Sequence, residues 1–223
     1  MNRNECIIRL SRYRKSLQRL LALGFVRVFS DNLADSTGVT PAQVRKDFSL
    51  FGISGNRKGG YAITDLLKKL DQILGRDKVR NMVVVGTGNM GTALLKYQGF
   101  AREGYVIVAG FDIKKDKQSP EGNPRILPME DLAEVVKNQN VRIGIIAVPD
   151  YAAQQALEKL VEAGIYGVLN FAPIKLSAKE GIIIRNVNLE SELDLVSYFV
   201  AVMDRAGGGL LHENLNLDET DEA

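Results

Sequence analysis

The sequence predicts an α/β protein in two parts: an N-terminal winged-helix domain, then a Rossmann-type doubly wound parallel sheet closed by one apolar helix. Three observations carry this prediction. Up to about Gly75 the apolar residues recur at helical spacing, whereas from Val79 short β-branched runs alternate with amphipathic helices. The run Val83–Val84–Val85 enters the glycine-spaced loop Gly86–Thr87–Gly88–Asn89–Met90–Gly91. Charge divides at the same place: residues 1–80 hold 16 Lys and Arg against 7 Asp and Glu, the rest 13 against 20, although the 223-residue chain is only +2 overall.

In the first part, Ile7, Leu10, Leu17, Leu20 and Leu21 predict a helix that Gly24 stops. Ser30 is the expected N-cap of a short helix through Asp35, and Gly38 makes a tight turn. Thr40 caps the next helix, with Pro41 at its first position and Gln43 at the capping-box position. That helix is expected to run to about Phe51 and to bury Val44, Phe48 and Phe51. Two short helices joined by a glycine turn make a helix-turn-helix. Gly52–Ile53–Ser54–Gly55 and Gly59–Gly60–Tyr61 bracket Asn56–Arg57–Lys58, which predicts a β-hairpin wing with a basic tip. A helix from about Thr64 to Leu74 closes this part.

In the second part, strands are expected at Val79–Val85, Tyr105–Phe111, Val141–Val148, Gly167–Asn170 and Gly181–Val187. Helices are expected at Asn89–Arg102, Met129–Asn138, Tyr151–Ala163 and Glu190–Ala206. The last is apolar nearly all round (Leu193, Leu195, Val196, Tyr198, Phe199, Val200, Val202, Met203), so it must be buried. Gly207–Gly208–Gly209 ends it before an acidic, disordered tail. The resulting domains are 1–78 (DNA-binding), 79–189 (dinucleotide-binding), 190–206 (helix) and 207–223 (tail).

The glycine loop has the right context for phosphate. Gly86 permits the turn, Gly88 lets backbone approach a pyrophosphate, and Gly91 lets helix pack against strand. The helix start offers free N–H groups and a positive dipole end. Asp112, at the end of the next strand, suits the adenosine ribose hydroxyls and disfavours a 2′-phosphate, so NAD and NADH are expected over their phosphorylated forms. Lys114 and Lys115 weaken that preference. Val148–Pro149 and Asn170–Phe171–Ala172–Pro173 follow the next two strand ends, where apolar groups and an amide suit a nicotinamide, although proline ends strands in any case.

Other chemistry is excluded or unsupported. The one cysteine, Cys6, cannot form an internal disulfide, which fits a reducing, cytoplasmic location. No signal peptide or membrane-length apolar run is expected. No Cys/His cluster has metal-ligand spacing. The lone histidine, His212, sits in the acidic tail. A dehydrogenase needs a proton relay, for which Lys175 and Tyr97 remain the candidates, but the sequence shows no paired relay. The cofactor site therefore reads as a receptor, with no catalytic residues. The alternatives are a small NAD-dependent oxidoreductase with an accessory basic domain, or a CoA- or nucleotide-binding module without redox response. The basic first part suits double-stranded DNA. Arg45 can read guanine in the major groove, Lys46 and Ser49 can hold phosphates, and Arg57, Lys58 and Gly59 of the wing would reach a minor groove with an A·T-rich flank.

The segment Gln43–Val44–Arg45–Lys46–Asp47–Phe48–Ser49–Leu50–Phe51–Gly52 resembles the recognition helix of the Rex family of bacterial redox-sensing repressors. So do the glycine loop, Tyr97–Gln98–Gly99–Phe100, Phe111–Asp112, Gly164–Ile165–Tyr166–Gly167–Val168–Leu169–Asn170–Phe171–Ala172–Pro173 and Asn186–Val187–Asn188–Leu189. The resemblance covers about residues 5–205. It implies a homodimer whose last helix is swapped into the partner, which binds a pseudo-palindromic operator and leaves it when NADH binds, with NAD competing. It also implies that Gly86, Gly88, Asn89, Met90, Gly91 and Asp112 hold the cofactor. Val148, Pro149, Asn170, Ala172 and Pro173 would line the rest of that site. Tyr97 would take part in the switch. Two positions implied to link cofactor state to the N-terminal domain depart from the pattern: Lys15 stands where the family often has Arg, and Asn188 where it often has Asp.

Overall fold

The structure, a computed structural model, describes residues 3–56 and 59–205. Arg57 and Lys58 at the expected wing tip, and the acidic tail, lie outside the described residues. The chain forms two compact units. One comprises the described residues through Arg80 together with Gln98–Val106; the other comprises Asn81–Tyr97 and the described residues from Ile107 on.

The first unit is built from α1 (Arg3–Ala22), β1 (Arg27–Val28), α2 (Ser30–Thr37), α3 (Pro41–Leu50), β2 (Tyr61–Ala62) and α4 (Ile63–Ile73). Its core joins Leu10, Tyr13 and Leu17 of α1 to Leu33, Val44, Phe48, Ile63, Leu66 and Leu70. Phe48 sits between the edges of Tyr13 and Tyr61, with centroids 5.5 and 5.2 Å away, a geometry favoured by the ring quadrupoles. Gly38 takes the left-handed conformation (φ 74°) that ends α2, and the Thr40 hydroxyl accepts from the Gln43 N–H at 3.1 Å to start α3.

Three local expectations change here. Phe29, not Ser30, occupies the N-cap of α2; its N–H is satisfied by the Asn32 side chain at 2.9 Å. Gln43 does not complete a capping box, because its amide donates to Asp47 at 2.7 Å. The wing ladder is also different. Residues Asn56 and Gly60 make a single bridge, and β2 pairs antiparallel with β1, with Arg27 opposite Ala62 and Val28 opposite Tyr61. A two-residue strand such as β1 is too short to show an alternating pattern.

The second unit carries a six-stranded sheet in the order β5-β4-β3-β6-β7-β8. Its strands are β3 (Arg80–Val85), β4 (Tyr105–Phe111), β5 (Arg125–Leu127), β6 (Ile143–Ile146), β7 (Gly167–Asn170) and β8 (Ile183–Asn186). Where register is defined, β4–β5, β3–β6, β6–β7 and β7–β8 are parallel. The helices are α5 (Asn89–Leu95), α6 (Gly99–Arg102), α7 (Leu132–Asn138), α8 (Asp150–Glu162) and α9 (Leu189–Arg205). Val83, Val85, Phe111, Ile146, Leu157 and Leu160 form the centre of its core. Strand order reverses between β3 and β6, and ligand crevices in doubly wound sheets open at the carboxyl ends of such strands.

The expected helix over Asn89–Arg102 is interrupted at residues 96–98. The Tyr97 N–H reaches back only three residues, to Leu94 O at 3.1 Å, so the helix tightens and stops before Gly99. Strand β5, three residues between Pro124 and Pro128, was not expected. Helix α9 has no buried residue in the single chain, contrary to the burial its composition demands: Leu193 is 64% exposed and Tyr198 62%.

Candidate nucleotide-binding site and DNA interface

The end of β3 delivers the glycine loop to the switch point, where the Ala147 N–H donates to Val85 O and the Gly86 N–H to Phe111 O, both at 2.8 Å. Gly86 has φ +90°, and a Cβ there would lie 2.6 Å from Ala147 O and from Val148 Cγ1. At Gly91 a Cβ would fall on the Gly86 carbonyl oxygen. A Cβ at Gly88 would meet nothing within 4 Å, so the loop is open there to an approaching group. The three glycines thus differ: Gly86 is required by conformation, Gly91 by the close helix contact, and Gly88 leaves the backbone open.

Asp112 braces this loop. Its Oδ2 accepts from Thr87 N at 2.8 Å and Thr87 Oγ1 at 2.7 Å, and its Oδ1 accepts from Lys114 N at 2.9 Å. Burial by itself would push the carboxyl up, but the bonds from Lys114 and Thr87 outweigh it and hold the group below the ordinary carboxylate range. Asp112 is therefore anionic at neutral pH, with one lone pair left on Oδ1.

A cleft of about 210 Å³ opens here, lined by Gly86, Gly88, Asp112, Lys114, Val148 and Pro149. It also includes Lys117, Met129, Tyr151, Gln155 and Lys159, which the sequence reading did not single out. Tyr151, Gln155 and Lys159 recur every four residues on one face of α8, a spacing visible in the sequence once α8 is set beside the end of β6. Asn89 lies on the other flank of the loop, in a groove with Lys96 and Lys117. Met90 is partly exposed at the start of α5, and Gly91 is buried.

The remaining expected residues do not line this cleft. Asn170 is fully buried and its amide is committed: Nδ2 donates to Ala172 O, Ile174 O and Asn186 Oδ1, and Oδ1 accepts from Ala172 N at 3.0 Å. It shapes the loop carrying buried Ala172 and exposed Pro173. Tyr97 is exposed, in the break after α5. Asn188 caps α9, its Oδ1 accepting from the N–H groups of Glu190 at 2.9 Å and Ser191 at 3.3 Å. Lys15 is exposed on α1.

On α3 the side chains of Arg45, Lys46 and Ser49 face solvent together, and the Gly59 N–H is tied to Asn56 Oδ1 at 3.0 Å. The opposite face carries Asp47, fully buried. Its carboxylate accepts from Arg9 Nε at 2.7 Å and Nη2 at 2.8 Å, from Tyr13 Oη at 2.9 Å, from Gln43 Nε2 and from Cys6 Sγ. Burial pushes Asp47 up, but these donors outweigh it and hold the carboxyl below its ordinary range. This network fixes α3 against α1 and so aims the exposed basic face. Sequence reasoning missed it because a buried Asp in an amphipathic helix has no local signature.

Burial and the neighbouring Asp47 push the Cys6 thiol up to about 11. The thiolate is the reactive form, so Cys6 is inert at neutral pH. In the native protein Cys6 is expected to resist a thiol-exchange reagent at pH 7.5 and to react at once in denaturant; rapid native labelling would contradict this packing.

The similarities to known proteins follow the same division. A family model described as "CoA binding domain" matches residues 77–174, and one described as "Putative DNA-binding protein N-terminus" matches residues 4–49. The redox-sensing transcriptional repressor Rex of Desulforamulus reducens is 42% identical over 200 residues, 89% of this chain and 95% of that one. The chain belongs to the Rex family. The Rex of Carboxydothermus hydrogenoformans is 44% identical, over 86% of this chain and 93% of that one. Among solved structures, RSP in complex with β-NAD⁺ and operator DNA matches at TM-score 0.84 and 31% identity, covering 94% of this chain and 98% of that one. RSP in complex with β-NADH matches at 0.78 and 32%, covering 92% and 96%. The Rex relatives are named as transcriptional repressors rather than enzymes. Among the described residues of this Rex-family chain, no helix is long and apolar enough to cross a membrane, and no cluster of His, Cys, Asp or Glu could hold a metal.

Proposed function

We propose that this chain is a DNA-binding repressor that senses the NADH/NAD⁺ ratio, NADH releasing it from its operator. The observation that carries this reading is that similarity to Rex repressors runs through both units, and that RSP is solved both with NADH and with NAD⁺ plus operator DNA. The open loop at Gly88, the helix start behind it and anionic Asp112 fit a dinucleotide's pyrophosphate and ribose. Arg45 and Lys46 reach base edges and phosphates, and the wing residues Arg57, Lys58 and Gly59 contact the adjacent minor groove.

Residues 1–78 are the DNA-binding module and 79–189 the dinucleotide module, with 190–206 the dimerisation helix. A 17-residue helix with large apolar side chains and no buried residue supports exchange into a second copy, which makes a two-fold dimer and a pseudo-palindromic operator. Tyr97 and the Asn170–Pro173 loop stand on the nicotinamide side. The protein works in the cytoplasm and turns over no substrate.

NADH and NAD⁺ differ by one charge on the nicotinamide ring, and a pocket that buries an unpaired cation is unfavourable. NADH is expected to bind at least about tenfold tighter than NAD⁺, about 1.4 kcal/mol. Fluorescence anisotropy with a labelled, A·T-flanked palindrome at fixed salt tests the whole reading. Release by NADH at a concentration at which NAD⁺ has no effect supports it; equal effects of the two sink it.

A further inference from the structure

We propose that Glu103 is a positioning residue that couples the cofactor loop to the DNA-binding unit through Arg14 and Arg76. The inference rests on the repressor reading above and adds the residues that transmit its signal. Glu103 caps α6 and belongs to the segment Gln98–Val106, which groups with the N-terminal unit although most of β3 before it and the rest of β4 after it belong to the second unit. Its Oε2 accepts from Arg14 Nη1 of α1 at 2.8 Å and from Arg76 Nη1 just beyond α4. Arg14 is itself buried and also donates from Nε to Asp71 of α4. Arg76 lies over the ring of Tyr105, 5.3 Å from its centroid, and the Arg80 N–H donates to Gly104 O at 2.9 Å. The segment is therefore held on both sides of Glu103.

The same chain runs back from Glu103 through the four residues of α6 and the break at 96–98 into α5, whose first residues are the end of the glycine loop. Any displacement of α5 or Tyr97 on cofactor binding is carried along this short path to Glu103. From there α1 continues it: Arg14 shares that helix with Arg9 and Tyr13, which hold Asp47 on the back of the exposed Arg45–Lys46 face. The carboxylate is shared by two partly buried guanidiniums, so the position of Glu103 bears on the position of α1 more strongly than a solvent-exposed ion pair would. No ion pair can run through Asn188, which is uncharged and caps α9.

The test measures how much saturating NADH weakens operator binding in the full chain. In Glu103→Gln this factor is expected to fall at least about fivefold, within the usual span of allosteric coupling. Operator affinity without cofactor and NADH affinity without DNA stay at their wild-type values. Arg76→Gln, which removes the other hold on Glu103, lowers the factor as well. Asp71→Asn removes a carboxylate from the same Arg14 and leaves the factor unchanged. An unaltered factor in Glu103→Gln, or an equal loss in Asp71→Asn, overturns the proposal. Absence of any NADH effect in the wild type would instead overturn the repressor reading, and this inference with it.

Discussion

Gly91→Ala is expected to abolish the response to NADH. The new Cβ would land on the Gly86 carbonyl oxygen, which is backbone and cannot rotate away, so the loop and the start of α5 must separate. That moves the N–H groups and the Thr87–Asp112 brace on which the proposed phosphate and ribose binding rests. NADH affinity should fall at least about 100-fold, about 2.7 kcal/mol by the standard relation between affinity and free energy. Calorimetry on the purified variant measures it. Gly88→Ala is the informative companion. Its Cβ meets no protein atom, so the variant should melt as the wild type does while losing affinity, because the methyl group occupies the approach of the ligand. If Gly91→Ala binds NADH within about threefold, under 1 kcal/mol, the loop is not the phosphate site.

Asp47→Ala should give the largest stability change in the N-terminal unit. It leaves Arg9, 15% exposed at its side chain, with only the longer 3.8 Å pair to Glu5, and strands the Tyr13 hydroxyl and the Gln43 amide. Breaking a buried pair by removing one member costs about 3–5 kcal/mol. Thermal melts should therefore fall by more than about 10 °C, given about 4–8 °C per kcal/mol in a unit of this size. Operator binding should fall with it, because α3 loses its hold on α1. A fall of only one or two degrees would mean that apolar packing, not this network, fixes α3. The pH dependence has a definite sign. Asp47 sits below its ordinary value in the folded state, so its contribution is complete above the unfolded value of about 4. It is lost as pH drops from there through the lower folded value. Asp47→Asn should remove that part of the acid sensitivity and leave stability at pH 7 lowered but flat.

What the sequence determined by itself was local. Thr40 and Pro41 started α3, Gly38 ended α2, and the run from Val83 into Gly86 announced a strand, a phosphate loop and a helix, because each depends on backbone preferences and side chains within a few residues. Charge asymmetry and the exposed Arg45–Lys46 face were legible for the same reason. Tertiary structure alone decided the rest. The pairing of β1 with β2 joined two strands too short to show a period. Asp47 found Arg9 across 38 positions and Arg14 found Glu103 across 89, and no helical or strand periodicity carries such distances. Asn170 had the right residue type for a ligand amide, yet its neighbours consumed its hydrogen bonds. Tyr151, Gln155 and Lys159 joined the cleft only because the sheet order put α8 beside the glycine loop. The physical reason is common to all of these. A side chain's partner is chosen by burial and proximity after the chain has folded, whereas the sequence states directly only what adjacent residues impose on one another.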